Sequence, residues 1–174
     1  MAAPHSSIRL RRYRQDDLGL LRQLLGDPEM TRFLGGPESD QSLAARHERY
    51  IESDPDTSGL FVVVVGDAEA PAGWVGFWES EWEGETTWEI GWHVLPLFQG
   101  RGVATAGATL ALEAARSRRR HRFVDAFPAV DNGASNALCR RLGFRLLGEV
   151  EIEYPKGRMM HAMHWRLDLG DGSV

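Results

Sequence analysis

The chain has 174 residues, 43% apolar and 26% charged, with a formal net charge of -5; this excludes disordered, fibrous and membrane classes and fits one globular domain over residues 1–174, ordered from about 8 to 169. A chain of this length buries a full core without disulfide or metal staples, and a single cysteine, Cys139, among six scattered histidines offers no bridge and no metal-ligand cluster, so a reduced, cytoplasmic setting is expected. Met1 to Ser7 has no signal-like apolar core, the longest apolar run, Leu60 to Val65, is too short for a bilayer, and net acidity argues against nucleic acid, so neither membrane nor nucleic acid is an expected partner.

Ile8 to Tyr13 alternates as a short strand, and a helix follows from about Asp16 or Asp17 with Leu18, Leu21, Leu24 and Leu25 at helical spacing. Gly35, Gly36 and Pro37 break the chain before a second helix over Glu38 to Ser53. Three strands come next, at Leu60 to Val65, Gly73 to Trp82 and Thr86 to Leu95, joined by turns at Asp67 to Gly73 and Glu83 to Glu85. Gly102 to Arg118 carries Val103, Ala106, Leu110 and Ala114 on one face of a helix. The basic run Arg116 to Arg122 at its end reads either as a solvated helix terminus or as a contact for RNA or phosphate. Phe123 to Phe127 is a strand, Asn132 to Leu142 a helix closed by Gly143 as a left-handed cap, and Phe144 to Tyr154 and Met159 to Leu169 a last strand pair. This order implies an α/β sheet covered by helices.

Between the third strand of the meander and the helix after it stands Gln99-Gly100-Arg101-Gly102-Val103-Ala104. Glycines let backbone approach an anion closely, and the first amides of a helix are unpaired donors backed by its dipole, so a phosphate fits there. The loop is not a P-loop, since no Gly-Lys-Ser/Thr follows, and it lacks dinucleotide-fingerprint spacing. A tight packing turn is the other reading of a glycine motif this short.

Glu89-Ile90-Gly91-Trp92-His93-Val94-Leu95-Pro96, followed by that loop and a small-residue helix, resembles the central acetyl-CoA motif of the GNAT superfamily, whose pattern is Gln/Arg-x-x-Gly-x-Gly/Ala. Asn132-Gly133-Ala134-Ser135-Asn136, then Leu142-Gly143-Phe144, is similar to the second motif of that family. The resemblance runs from Ile8 to Leu169 and is nearest to the ribosomal-protein alanine N-acetyltransferases. It implies a mixed, mostly antiparallel central sheet of about six to seven strands flanked by helices on both faces, acetyl-CoA as cosubstrate, and a homodimer as one option. It further implies that backbone amides of Gln99, Gly100, Arg101, Gly102, Val103, Ala104 and Thr105 hold the pyrophosphate, that main-chain groups at Val94 pair with the pantetheine, and that Asn132 and Asn136 touch CoA. Asn132 reads equally as a helix cap, and Arg101 either adds charge at the phosphates or is a surface arginine.

Acetylation of an amine needs a base for the ammonium proton, donors for the oxyanion and support for the leaving thiolate. Glu89 lies on the strand feeding the loop, sharing a face with Gly91 and His93 opposite Trp88, Ile90 and Trp92, where desolvation would raise its pKa; it is the candidate base, with a structural ion pair as the alternative. His93 and Glu153 are the competing bases. Where many relatives carry a tyrosine acid this chain has Cys139, a poor donor, so Ser135 is the candidate beside the sulfur, with helix capping as its alternative. Glu79, Glu81, Glu83, Glu85 and Glu89 form an acidic hairpin that would draw a small-molecule amine or a protein N-terminus, whereas Trp74, Trp78 and Trp82, on one strand face, read first as core. The competing function is a non-catalytic acyl-CoA binding module.

Overall fold

Among residues 7–170, which the computed structural model describes, the chain runs β1 (Ile8–Arg12), α1 (Leu18–Leu25), α2 (Asp40–Ile51), β2 (Ser58–Val65), β3 (Ala70–Trp82), β4 (Glu85–Val94), α3 (Val103–Ser117), β5 (Phe123–Ala126), α4 (Gly133–Arg141), β6 (Arg145–Glu153) and β7 (Met159–Asp168). The outermost ends of the expected domain lie outside the described residues. The seven strands form one sheet ordered β1-β2-β3-β4-β5-β7-β6. Every neighbouring pair is antiparallel except β4 and β5. This is the mixed, mostly antiparallel sheet that the resemblance implied, and among the described residues no helix is long and apolar enough to cross a membrane.

Helices cover both faces, and β2 explains why. Val63 packs with Val75, Phe77 and Ala111 in one core, while Val62 and Val64 pack with Leu21, Leu24, Leu43 and Trp74 in another. Alternate residues of a strand point to opposite faces, so an unbroken valine run is what a strand between two apolar layers requires. The α1/α2 layer builds the second core and α3 the first.

Element ends follow local chemistry. Ser39 caps α2, its hydroxyl accepting from the Ser42 amide at 3.2 Å, so the helix begins at Asp40 rather than Glu38. Strand β3 starts at Ala70, earlier than the Gly73 expected, because a register shift between Val63 and Val64 lets Val64 and Val65 pair with Pro71 and Ala70. Gly143, at φ +85°, ends α4 as anticipated.

Candidate active site

The site begins where β4 and β5 part. Their parallel pairing covers only Trp88 with Val124 and Glu89 with Asp125. Beyond that point the chain after β5 follows β7 instead: Met163 N–H donates to Pro128 at 2.9 Å and Val130 N–H to His161 at 3.1 Å. On the other edge β4 stays with β3 to its end, where Leu95 N–H donates to Ala72 at 2.8 Å. Strand alternation therefore turns the main-chain groups of Trp92 and Val94 toward the parted edge. The result is a crevice at the C-terminal ends of two adjacent parallel strands, with unpaired backbone along one wall.

The glycine loop closes one end of this crevice. Gly100 and Gly102 have φ +70° and +76°, a left-handed conformation that glycine adopts freely. A Cβ at either would meet no atom within 4 Å, so the space beside the two glycines is open. Gly102 caps α3 without any side-chain bond. Among the described residues, no backbone or side-chain acceptor takes the amides of Gly100, Arg101, Gly102, Val103, Ala104 or Thr105. Unpaired donors at the start of a fifteen-residue helix are chemically able to take an anion. Gln99 departs from its expected role, because its amide already donates to Pro96 at 3.2 Å and its side-chain amide donates to the Val94 carbonyl at 2.8 Å. It ties the loop to β4, so that of the two main-chain groups of Val94 the N–H stays free on the crevice edge. Arg101 is exposed, with no hydrogen bond or ion pair among the described residues, and stands beside the open amides. Arg141, unremarked in the sequence, reaches the first turn of α3 by donating to the Thr105 hydroxyl at 3.2 Å.

A cavity of about 210 Å³ continues from the crevice between the sheet and the α1/α2 side. Glu89, His93 and Ser135 all line it, together with Asn132 and Tyr154. Burial, and then the charge of Asp125, raise the Glu89 pKa above its ordinary 4.5 despite hydrogen bonding to Ser80 and Trp78. His93 shifts the other way, lowered to about 4 by burial and by the Arg46 charge, so at neutral pH it is an uncharged imidazole and a weak base. Arg46, from α2, also lines the cavity and is held by Glu38 through Nε at 3.1 Å and Nη2 at 2.5 Å, with Nη1 donating to the Tyr50 hydroxyl at 3.3 Å.

Asp125, missed in the sequence, anchors the parting point. Its fully buried carboxylate accepts from Thr87 at 2.9 Å and from Arg166 Nε and Nη2 at 2.7 and 2.8 Å, and meets His164 Nε2 at 2.9 Å. Burial alone would raise its pKa, but Arg166, His164 and Thr87 outweigh that and draw it down to about 2. A permanent negative charge thus lies one strand from Glu89.

The α4 end divides otherwise than the motif suggested. Asn132 is the helix cap, accepting from the Ser135 amide at 3.1 Å. Ser135 is therefore released from capping, and its Oγ accepts from Trp92 Nε1 at 3.2 Å. Asn136 uses its amide on Ala129 and Asn132 at 3.0 and 2.8 Å and its oxygen on Trp165 at 2.8 Å, so the side chain expected at CoA instead fixes the loop into α4. Cys139 is fully buried, its thiol pushed up to about 12 by burial, and lies outside the cavity. Glu153 is exposed and accepts from the Gly157 amide at 2.6 Å; the neighbours Ile152 and Tyr154 face the cavity in its stead, as strand alternation requires. The basic run is engaged within the chain: Arg120 and His121 pair with Glu79, Arg122 with Asp168, and Arg116 donates to Leu169. The acidic hairpin is likewise partly neutralised, Glu85 pairing with Arg166 at 2.6 Å.

Residues 7–145 match the acetyltransferase (GNAT) domain family model. The chain therefore belongs to the GNAT acetyltransferase family. Solved structures share its fold. Spermidine N-acetyltransferase from Vibrio cholerae, in complex with CoA and spermine, is 20% identical with TM-score 0.76, over 93% of this chain and 95% of that one. A GNAT-family acetyltransferase from Bacillus anthracis is 16% identical with TM-score 0.76, over the same shares. A putative acetyltransferase from Salmonella typhimurium, with acetyl-CoA, is 18% identical with TM-score 0.72, over 97% of this chain and 98% of that chain.

Proposed function

We propose that this protein is an N-acetyltransferase that moves the acetyl group of acetyl-CoA to a primary amine by direct attack within a ternary complex. The observation that carries the reading is the junction of three features at one crevice: six unpaired amides from Gly100 to Thr105, a free strand edge at Trp92 and Val94, and a half-buried carboxylate, Glu89, opening into the cavity behind. A pyrophosphate fits the amide seat, since both glycines leave open space there, and a pantetheine amide fits the strand edge. Solved relatives holding CoA or acetyl-CoA support the same cosubstrate. Bound there, acetyl-CoA would supply an activated thioester carbonyl.

The chain's own groups meet the remaining needs. Glu89, its pKa raised by burial, takes the proton from the acceptor ammonium, directly or through water. The freed nitrogen adds to the thioester carbonyl, forming the C–N bond and an oxyanion. As the oxyanion collapses the C–S bond breaks, and the second nitrogen proton passes to the departing thiolate, which leaves as free CoA thiol. Main-chain N–H groups at the crevice edge stabilise the oxyanion. Ser135 receives a hydrogen bond from Trp92, which leaves its own proton to donate toward the departing sulfur. The Tyr154 phenol, also on the cavity wall, is a candidate substitute for the tyrosine that Cys139 replaces, since the other tyrosine there, Tyr50, is engaged by Arg46.

The acceptor is a small amine or a protein N-terminus, the latter suggested by the resemblance to ribosomal-protein alanine N-acetyltransferases. A cytoplasmic setting and a homodimer belong to the same proposal and rest on the single cysteine and on that resemblance. The competing reading, a binding-only module, draws on the buried Cys139. Release of free CoA thiol during incubation with acetyl-CoA and a broad amine panel, with mass spectrometry of the product, decides between them: an N-acetylated product supports catalysis, and binding of acetyl-CoA without thiol release for any amine overturns it.

A further inference from the structure

The acceptor side of the cavity has a construction that the acetyltransferase reading does not by itself explain. On the face of the sheet that bears Glu89, residues of β3 and β4 stand directly opposite one another: Trp78 with Glu89, Gly76 with Gly91, Trp74 with His93. The two glycines leave the centre of this patch without side chains, and the indoles occupy the space. A Cβ at Gly76 would lie 2.5 Å from the Trp74 ring, and one at Gly91 would lie 3.2 Å from the Trp78 ring. Both indoles therefore lie close against the backbone of the sheet, with ring centroids 6.3 Å apart. Tyr50 stacks on Trp74 at 5.4 Å with the planes only 10° apart, burying it. Trp78 keeps part of its surface open to the cavity, next to Glu89, and Phe33 and Phe127 line the surrounding wall.

The charges are as particular as the shape. Glu89 is the one carboxylate lining the cavity among the described residues. The other ion there is the Arg46 guanidinium, already balanced by Glu38. His93 is neutral, and the hairpin acids Glu79 and Glu85 are paired with Arg120, His121 and Arg166 outside the cavity. A molecule with several ammonium groups would meet one carboxylate and a guanidinium that repels its further charges. One ammonium beside Glu89, attached to a neutral flat body, leaves no charge uncompensated. An apolar cavity of roughly 150 Å³ accommodates a benzene ring, so about 210 Å³ has room for one ring and a short aminoalkyl arm.

We infer that the acceptor is a compact arylalkylamine, its single ammonium at Glu89 and its aromatic ring on Trp78. This inference rests on the acetyltransfer proposed above and narrows its substrate. Trp78 acts as a specificity residue: a ring face attracts both another ring and a nearby cation.

The test measures kcat/KM with acetyl-CoA for 2-phenylethylamine and tryptamine against spermidine, ribostamycin and a peptide with N-terminal alanine, followed by mass spectrometry of the products. The arylalkylamines are expected to exceed the others at least tenfold. In Trp78→Ala their KM should rise about ten- to a hundredfold while the acetyl-CoA Kd stays unchanged, and Trp78→Phe should recover most of the loss. Turnover of spermidine, ribostamycin or the peptide equal to or above that of the arylalkylamines overturns the inference while acetyltransfer stands. An unchanged KM for 2-phenylethylamine in a folded Trp78→Ala also overturns it. Absence of turnover with every amine, despite acetyl-CoA binding, removes the acetyltransfer reading and this inference with it.

Discussion

Substituting Gly102→Ala separates a backbone role from a binding role. At φ +76° an alanine costs about 1–2 kcal/mol of left-handed strain, reduced by a few tenths through the lower entropy of the unfolded chain. The added Cβ meets nothing within 4 Å, so no clash adds to this, and the net destabilisation is about 1 kcal/mol, or roughly 2–4 °C in Tm for a chain of this size. The methyl projects into open space beside the unpaired amides, and the loss of one charge-assisted hydrogen bond to phosphate, about 1.5–3 kcal/mol, weakens acetyl-CoA by about ten- to a hundredfold. Gly66 provides a matched control: it too has φ +76° with nothing within 4 Å, but it lies in the β2–β3 turn. Urea unfolding should find the two alanine variants equally destabilised, while titration calorimetry should find only Gly102→Ala impaired in acetyl-CoA binding. Equal acetyl-CoA affinity in the two variants would refute the phosphate seat.

Four other outcomes are expected. Glu89→Gln should lower kcat by about 10²–10⁴ and abolish the rise in rate with pH that marks deprotonation of Glu89 above its ordinary 4.5, with acetyl-CoA affinity unchanged by calorimetry; a retained acid limb would point to another base. Trp92→Phe removes the donor to Ser135 and, at about 1 kcal/mol for a neutral hydrogen bond, should slow turnover about fivefold without altering KM for the amine. Cys139→Ala should cost about 1–2 kcal/mol in urea unfolding yet leave kcat per folded molecule intact, because the thiol lies outside the cavity. Asp125, held at about 2 against an ordinary 3.8, contributes roughly 2 kcal/mol. As a lowered carboxylate it gives that stability in full above about pH 5 and loses it as pH falls toward 2; carboxyl-carbon NMR should find its titration near the lower value.

Several site residues show how far spacing alone reaches. The left-handed backbone at Gly100 and Gly102, the start of α3 and the place of Glu89 on the strand leading into the loop were legible because they are local facts. Ser135 and Asn132 were each legible as a pair of options, and one hydrogen bond, Ser135 N–H to Asn132, shows which of the two caps α4. Glu153 and Tyr154 differ by one position, which in a strand is a difference of face, and only the docked sheet fixes which of the two meets the cavity. Trp74, Trp78 and Trp82 were read first as core; Trp74 is buried in the second core and Trp78 packs against it, yet both also line the cavity, where Gly76 and Gly91, each unremarkable in its own strand, come together across the register.

The sequence by itself determined the order of elements and the glycine turn at the start of a helix, since periodicity, capping and φ preferences act within a few residues of chain. The tertiary structure alone decided where β4 and β5 separate, which carboxylate becomes desolvated, and that Arg46, Tyr50 and Tyr154 share a cavity with Glu89. These depend on residues far apart in the chain approaching one another, and such distances are fixed by packing of whole layers rather than by any local pattern.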